Sequence, residues 1–261
     1  MRTAILLSLA FAILGCDGAA ESVKEEADKQ DGQQPAKKAE GGEPMAKDSA
    51  WTWGYFFAAP DKASVEKLSG GRKQSLTLYR VDKIVPIRGE AGVSIKPGST
   101  MVRLEVAARL TLTSEAKAPT LLLQGVPQHL EYMSRAQRDK LSSRAEFPPS
   151  KDTVAVVILI RKSAAWWALA HDERSVHFQK GEGKKGHTAI GADYVDRIHR
   201  KLYHTRYAVE TRDHDFITYF EFDRAHTDDF KRLLTALRDT EQNPEWKYVD
   251  REYEIWMTKM E

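Results

Sequence analysis

The stretch that decides the fold is HTAIGADYVDRIHRKLYHTRYAVETRDHDFITYFE, residues 187–221. Residues 187–199 carry apolar side chains at helical spacing, which predicts one helix with a buried face made of Ile190, Tyr194, Val195 and Ile198. Residues 201–209 and 215–222 alternate between apolar and polar side chains, which predicts two paired strands. A helix that leads into two paired strands is typical of an α+β fold.

The segment before this stretch adds a strand and a helix. Residues 154–160 (VAVVILI) are a short β-branched run, which predicts a buried strand. Ser163 can cap a helix that carries Trp166 and Trp167. The strand and this helix therefore precede the helix that begins at residue 187.

The segment after it adds another helix and a closing strand. Thr227 is suited to cap a helix with Asp228 and Asp229 in its first turn. The apolar stripe of that helix would be Phe230, Leu233, Leu234 and Leu237. Residues 246–257 (WKYVDREYEIWM) alternate and predict a strand. The resulting order, β-α-α-β-β-α-β, is that of a ferredoxin-like unit with one extra helix.

The first half of the folded part follows a weaker version of the same pattern. Strands are predicted at 75–85, 101–113 and 120–132, and a polar helix at 134–145. Pro148 and Pro149 mark a boundary. The predicted fold is therefore α+β, with one ferredoxin-like unit over 51–150 and a second over 151–261.

The composition gives no reason to expect a nucleic-acid partner. The 261 residues include 40 Lys and Arg against 38 Asp and Glu, for a net charge of +2. A basic surface that attracts nucleic acid needs a clear excess of positive charge. The roughly 210 residues from Trp51 onward are enough to bury a sizeable core.

The N-terminus predicts export. Arg2 is followed by an apolar run over 4–14, which is typical of a secretory signal and too short to span a membrane as a helix. The sequence ILGC at 13–16 resembles a bacterial lipobox. This resemblance implies cleavage before Cys16 and a lipid anchor on Cys16, which would hold the protein to the cell envelope, facing the periplasm. An ordinary signal peptide or a free thiol is the alternative.

The residues between the lipobox and the folded part predict a tether. Residues 1–15 would be the signal peptide, and residues 16–50 contain almost no large apolar side chain. Such a segment cannot bury enough apolar surface to offset its chain entropy, so it is expected to be disordered.

Taken singly, the reactive side chains identify no chemistry. A lone histidine such as His187 is more often a surface or structural residue than a metal ligand, and a lone arginine such as Arg200 is usually solvated. Trp166 and Trp167 at the head of a helix would most often belong to a core. The eight histidines form no close cluster with zinc spacing, and Cys16 is the only cysteine. The sequence also has no dinucleotide-binding glycine motif, no P-loop and no GxSxG motif.

Several motifs in one order resemble the chlorite dismutase family. They are IRKSAAWWALAHDER at 160–174, HT…Y…RKLYH at 187–204 and DFITYFE at 215–221. The resemblance covers residues 153–257 well and 75–150 loosely. It implies the dimeric α+β barrel type of fold, with a haem in the C-terminal unit.

The resemblance also implies a haem b site. His187 would bind the iron from the proximal side, since a neutral imidazole suits iron, and Arg200 would present a permanent charge on the open distal side. Lys162 would pair with a haem propionate, and Trp166 and Trp167 would wall the haem. The distal pocket would be lined by Leu202, Thr218 and Phe220.

Two further residues are assigned less directly by the same resemblance. Tyr132 would reach a propionate from the first half of the fold. A carboxylate should accept a hydrogen bond from the proximal imidazole, which orients the ring and raises its basicity. Glu241, at the end of the helix predicted over 227–241, is the residue chosen for that role.

Three features bear on which member of this group the chain resembles. The segments 180–185 (KGEGKK) and 205–215 (TRYAVETRDHD) are longer than the family pattern and would lie at the rim of the pocket. The similar coproheme decarboxylases have a glutamine where Arg200 stands. Their catalytic tyrosine precedes the propionate lysine by four residues, a position that Ile158 occupies here.

The resemblance therefore implies an enzyme that decomposes chlorite to chloride and dioxygen. Arg200 would hold hypochlorite until its oxygen is recombined. A peroxidase-like haem enzyme that uses hydrogen peroxide, and a non-catalytic haem-binding protein tethered to the membrane, are the alternatives. The resemblance further favours a homo-oligomer, in particular a pentamer.

Overall fold

The computed structural model describes residues 53–58, 76–90, 92–106, 121–127, 136, 146–206 and 213–260. All of these residues lie in one compact unit that extends from Lys47 to Glu261. Its strands are β1 (Trp53–Ala58), β2 (Leu76–Arg88), β3 (Thr100–Val106), β4 (Leu121–Pro127), β5 (Thr153–Lys162), β6 (Ile198–His204), β7 (Phe216–Asp223) and β8 (Val249–Lys259). Its helices are α1 (Ala164–Ala168), α2 (His171–Phe178), α3 (His187–Ala192) and α4 (Thr227–Arg238), with short 3-10 helices at Arg224–His226 and Pro244–Tyr248.

These strands form a closed barrel. Their order around it is β1-β3-β2-β8-β5-β7-β6-β4, and β4 returns to β1. Every neighbouring pair is antiparallel. The two halves of the chain meet at two places around the barrel, where β2 pairs with β8 and β4 pairs with β6. Neither half therefore closes the sheet without the other.

Successive residues of each strand face opposite sides of the sheet. In β5, Ala155, Val157 and Leu159 face the barrel interior, where they pack with buried side chains from all around the barrel. Their neighbours Val156 and Ile158 face outward and join a second core. This alternation explains why the whole run 154–160 is buried, since both of its faces are covered.

Helix α4 covers the outer face of the second half. Its apolar stripe is buried against β5, β7 and β8 and consists, as predicted, of Phe230, Leu233, Leu234 and Leu237. Arg238, in its last turn, donates to Glu252 and Glu254 on β8 at 2.5 Å each. The helix is therefore fixed to the sheet by packing and by buried ion pairs.

The predicted strands of the second half are present with shifted ends. The N-cap of α1 is confirmed, because the Ser163 hydroxyl accepts a hydrogen bond from the Trp166 backbone at 3.3 Å. Thr227 is the first residue of α4 and not its cap, since its hydroxyl donates to the carbonyl of Arg224 at 2.6 Å. Residues 246–248, predicted as strand, belong to the 3-10 helix that precedes β8.

The single helix predicted over 187–199 is wrong. Helix α3 ends at Ala192, and β6 begins at Ile198. Ile198 and His199, the last residues of the predicted helix, instead pair with Phe222 and Glu221 on β7. This pairing between strands overrides the helical period of the local sequence.

In the first half, strands begin close to the predicted positions 75, 101 and 120. The signal peptide, Cys16 and the tether lie outside the described residues, as do Tyr132, the ends of several predicted strands and all of the predicted helix 134–145 except Ala136. Within the described part of the chain, no helix has the length and apolarity needed to cross a membrane.

Candidate functional site

The outer face of β5, β7 and β6 carries the residues that the sequence predicted for a distal pocket. Arg200 on β6 lies opposite Phe220 on β7, and Leu202 lies opposite Thr218. Ile158 on β5 is the other neighbour of Thr218. Period-two alternation and strand register therefore bring Arg200, Leu202, Thr218 and Phe220 onto one surface.

Arg200 is the charged group of this surface. Its side chain is half-buried, and it makes no ion pair with any residue that the structure describes. Burial lowers the pKa of Arg200, while the negative charge of Glu245 acts in the opposite direction. The guanidinium stays cationic at any working pH, so this face of the sheet contains a positive charge with no carboxylate paired to it among the described residues.

His187 is the first residue of helix α3, whose Ile190 packs into the core on the outer face of the sheet. The ring is 20% exposed, and its Nδ1 lies 2.8 Å from Oε2 of Glu245. The ring of Phe178 packs beside it at 5.7 Å between centroids. Since Nδ1 is engaged, Nε2 is the nitrogen left for a ligand, and among the described residues it has no partner.

Gly186 fixes the approach of the chain to His187. Its φ is +74°, a backbone conformation that residues with a side chain rarely adopt. Its N–H donates to the carbonyl of Gln242 at 2.9 Å. A Cβ atom on Gly186 would lie 2.4 Å from the carbonyl oxygen of Gln179. This residue was missed in the sequence, although a glycine next to a candidate ligand was a usable signal.

Glu245 joins His187 to a buried lysine. Its Oε1 lies 2.7 Å from Nζ of Lys162, and the two side chains are 7% and 2% exposed. Burial alone would raise the pKa of Glu245, but Lys162 and His187 outweigh burial and hold it well below its usual range. The carboxylate therefore stays ionised and accepts hydrogen bonds from both partners.

Glu245 and not Glu241 is the carboxylate at the imidazole, which corrects the prediction. Helix α4 ends at Arg238, and Glu241 is exposed two residues beyond its C-cap, Asp239. The chain then passes through Asn243, whose amide donates to the carbonyl of Leu237 at 2.7 Å, and enters the 3-10 helix that carries Glu245.

This 3-10 helix is anchored by donors from three other elements. Ser163 donates its backbone N–H to Tyr248 at 2.8 Å, and Lys162 Nζ reaches the carbonyl of Glu245 at 3.3 Å. Arg88 of β2 donates to the carbonyl of Trp246 in this helix at 3.4 Å, and to that of Val249, directly after the helix, at 2.6 Å. The position of Glu245 is thus fixed by hydrogen bonds to the backbone of its helix as well as by those to its carboxylate oxygens.

Lys162 has a protein partner in addition to the propionate that was predicted for it. Its ammonium is committed to Glu245 and lies over the rings of Trp166 and Trp246, at 4.8 and 5.3 Å. The contact with a haem propionate stays a prediction. Through Glu245, Lys162 is linked to His187.

The paired tryptophans have distinct surroundings. Trp166 is buried and packs against Phe178 and Tyr248. Trp167 stacks on Phe216 with an interplanar angle of 14°, and its N–H donates to Asp215 at 3.2 Å. Asp215, which also accepts from the Lys162 backbone at 2.8 Å, was not singled out in the sequence.

The arrangement fits a cofactor that takes one protein ligand. No group of three or more His, Cys, Asp or Glu side chains suited to a metal ion occurs among the described residues. His187 offers one imidazole with a hydrogen-bonded second nitrogen, apolar side chains cover the adjoining sheet, and Arg200 supplies a cation. These are the features that a b-type haem needs from its protein.

Comparison with known proteins gives the family of the chain. The chlorite dismutase family matches residues 63–260. A curated chlorite dismutase of Ideonella dechloratans is 29% identical over 129 residues, which are 48% of this chain and 40% of that protein. The chain therefore matches well under half the length of this relative.

Solved structures show the same fold. A dimeric chlorite dismutase from Nitrobacter winogradskyi has a TM-score of 0.57 and 29% identity, covering 78% of this chain and 99% of that one. The chlorite dismutase of Candidatus Nitrospira defluvii in complex with imidazole has a TM-score of 0.56 and 23% identity, covering 80% of this chain and 91% of that one. The chain belongs to the chlorite dismutase family.

Proposed function

We propose that this protein is a haem b enzyme that converts chlorite to chloride and dioxygen. The observation that carries the proposal is the pairing of two unlike groups around one surface. His187 is oriented by a buried carboxylate, and Arg200 is a cation without a carboxylate of its own. Family membership supports the assignment.

Each residue then has a defined task. His187 would bind the iron through Nε2, while Glu245 fixes the ring orientation and raises its basicity. Bound haem would supply the redox chemistry that moves oxygen from chlorite. Arg200 would bind chlorite through charge-assisted hydrogen bonds and keep hypochlorite from escaping before recombination. The overall reaction balances, since ClO2⁻ gives Cl⁻ and O2.

The apolar rows around Arg200 support confinement of the oxidant. Ile158 and Leu202, which flank Thr218, carry no hydrogen-bonding side-chain group and would exclude water from the anion. Val156 and Phe220 belong to the apolar core beneath α4, where Phe220 packs against Phe230. In a water-poor pocket, a hydrogen bond to the Arg200 guanidinium is stronger than in bulk water. Ile158 also lacks the phenol that coproheme decarboxylases use at this position, which favours chlorite over coproheme as the substrate.

The order of the strands supports the proposal of two ferredoxin-like units. Around the barrel, the first half runs β4-β1-β3-β2 and the second half runs β8-β5-β7-β6. Each half therefore places its fourth, first, third and second strands side by side. We further propose export as a lipoprotein through Cys16 and assembly into a homo-oligomer, on the sequence features given above.

Oxygen evolution tests the proposal. Purified protein loaded with haem is mixed with chlorite, and dissolved oxygen is followed with an electrode. One O2 for each chlorite consumed is expected. Oxidation of a peroxidase dye by hydrogen peroxide, without oxygen from chlorite, would favour the peroxidase alternative. Stable haem binding with neither activity would leave a haem carrier.

A further inference from the structure

Thr218 is a buried polar side chain in the middle of the candidate pocket. It is 5% exposed and lies on the outward face of β7 between Phe216 and Phe220. Its hydroxyl has no hydrogen-bond partner among the residues that the structure describes. Although the residue is buried, its hydroxyl oxygen is not among the fully buried atoms that lack a partner, so it remains accessible at this surface. An accessible hydroxyl without a protein partner can donate to a group that the protein binds.

The strand register places this hydroxyl beside Arg200. Two rows cross the pocket surface, Val156–Phe220–Arg200 and Ile158–Thr218–Leu202. Each row contains one polar side chain, and the two lie on neighbouring strands in adjacent rows. Diagonal positions of this kind have Cβ atoms about 7 Å apart, a distance that a long arginine side chain can bridge.

The two polar groups are chemically complementary. Arg200 supplies charge and planar N–H donors, which attract an anion but can hold it in several orientations. A threonine hydroxyl supplies one directed donor and no charge. The remaining members of the two rows are apolar and add no competing acceptor. An anion held by both donors would be fixed in position as well as attracted.

We propose that the Thr218 hydroxyl is the second hydrogen-bond donor to the small anion that Arg200 binds. This inference rests on the proposed function, because it adds a residue to the same anion site. The ligand would be a small inorganic anion that accepts hydrogen bonds, such as fluoride or an oxyanion of chlorine. Thr218 would fix the position of the anion over the cofactor, and Arg200 would contribute most of the electrostatic attraction for the anion.

Fluoride binding to the ferric, haem-loaded protein is the test. Fluoride is a small anion whose ferric complex has a charge-transfer band that responds to hydrogen-bond donors. The substitution Thr218→Val keeps the shape and removes the hydroxyl, so fluoride should bind about ten-fold more weakly and the band should shift. Thr218→Ser retains the hydroxyl and should stay within about two-fold of the parent protein.

Two controls separate the hydroxyl from general effects. Thr77→Val changes a threonine of β2, in the other half of the barrel, and should leave fluoride binding unchanged. Imidazole carries no negative charge when it binds, so Thr218→Val should leave its affinity nearly unchanged. Loss of imidazole and fluoride binding together in Thr218→Val would point to a disturbed pocket and overturn the donor role.

The remaining outcomes are also decisive. Equal fluoride affinity and an unshifted band in Thr218→Val would show that the hydroxyl does not meet the anion. Equal weakening in Thr218→Val and Thr218→Ser would show that the loss does not follow the hydroxyl, which serine retains, and would reject the proposal. Failure of the parent protein to bind haem at all would instead contradict the proposed function itself.

Discussion

The proximal and distal sides of the candidate site use polar groups in opposite ways. On the proximal side, His187, Glu245 and Lys162 satisfy one another within 2.8 Å, and the backbone around Glu245 is anchored as well. On the distal side, Arg200 and Thr218 have no hydrogen-bond partner among the described residues. The first arrangement suits a fixed ligand, and the second suits a group that arrives and leaves.

The two sides also rest on different kinds of structure. Distal residues lie on adjacent strands of a barrel, where register alone fixes their spacing. Proximal residues come from the end of β5, the start of α3 and a 3-10 helix, so their geometry depends on turns and caps. Proximal substitutions should therefore affect stability and haem binding, whereas distal ones should affect anion chemistry.

The largest effect is expected from His187→Ala. Removing the imidazole removes the one ligand that the site offers to iron, so the protein should lose haem binding. Haem is titrated into the apoprotein and the Soret band is recorded. His171→Ala, at an exposed histidine of α2, should bind haem like the parent. A normal five-coordinate histidine spectrum in His187→Ala would assign the ligand elsewhere.

Breaking the buried ion pair should destabilise the protein more than any distal change. Glu245→Leu leaves the Lys162 ammonium buried without its partner, which typically costs about 3–5 kcal/mol. The double substitution Glu245→Leu with Lys162→Met removes both charges and should recover most of that loss. Urea unfolding of the apoproteins gives the free energies. Additive losses in the double variant would show that the two groups do not act as a pair.

Gly186→Ala should weaken both stability and haem affinity. The positive φ and the collision with the Gln179 carbonyl together should cost about 1–3 kcal/mol, and His187 would be displaced. Gly183→Ala is a matched control, because Gly183 has a φ of +70° with nothing within 4 Å of the added Cβ. Equal unfolding free energies and haem affinities in the two variants would refute the positioning role of Gly186.

On the distal side, Arg200→Ala should retain haem and most of its stability, while chlorite turnover weakens and self-bleaching is faster. A charge-assisted hydrogen bond contributes about 1.5–3 kcal/mol, so hypochlorite should escape about ten-fold more often. A chlorination trap such as monochlorodimedone measures the escape for each turnover. Arg161→Ala, at an exposed arginine of β5, is the control. Trapping equal to the parent would exclude Arg200 from anion retention.

The smallest effect concerns acid stability. The pKa of Glu245 lies below its ordinary value of 4.5 in the folded protein, so its stabilising contribution is present above that pH. It should be lost as the pH falls from about 4.5 through the folded-state pKa, because protonation breaks the pair with Lys162. Unfolding free energies of the apoprotein should therefore fall more steeply below pH 4.5 than those of Glu245→Gln. Parallel pH profiles would contradict this.

The family resemblance assigned Arg200, Leu202, Thr218 and Phe220 to a distal pocket, and that role stays a prediction. Their position on one face of the sheet follows a simple rule. Arg200 and Leu202 alternate on one strand, and Thr218 and Phe220 alternate on the next, so any correct pairing brings them together. The strand over 154–160 could be predicted because the run is continuously apolar and rich in β-branched residues. The buried stripe of α4 could be predicted because its apolar side chains recur with the helical period.

The proximal side could not be predicted in the same way. Glu245 is 58 residues from His187 in sequence and lies in a short helix without apolar periodicity. Its position depends on where α4 ends and on the course of residues 239–243. The switch from helix to strand between Ala192 and Ile198 likewise depends on pairing with β7, which no local pattern contains.

The Fe–His stretching mode of the ferrous, haem-loaded protein tests the central contrast most directly. Resonance Raman spectroscopy should detect this mode in the parent, find it at the same frequency in Arg200→Ala, and find it at lower frequency in Glu245→Gln, because a neutral partner makes the imidazole less basic. An unchanged frequency in Glu245→Gln together with a shifted one in Arg200→Ala would contradict the assignment of the two sides.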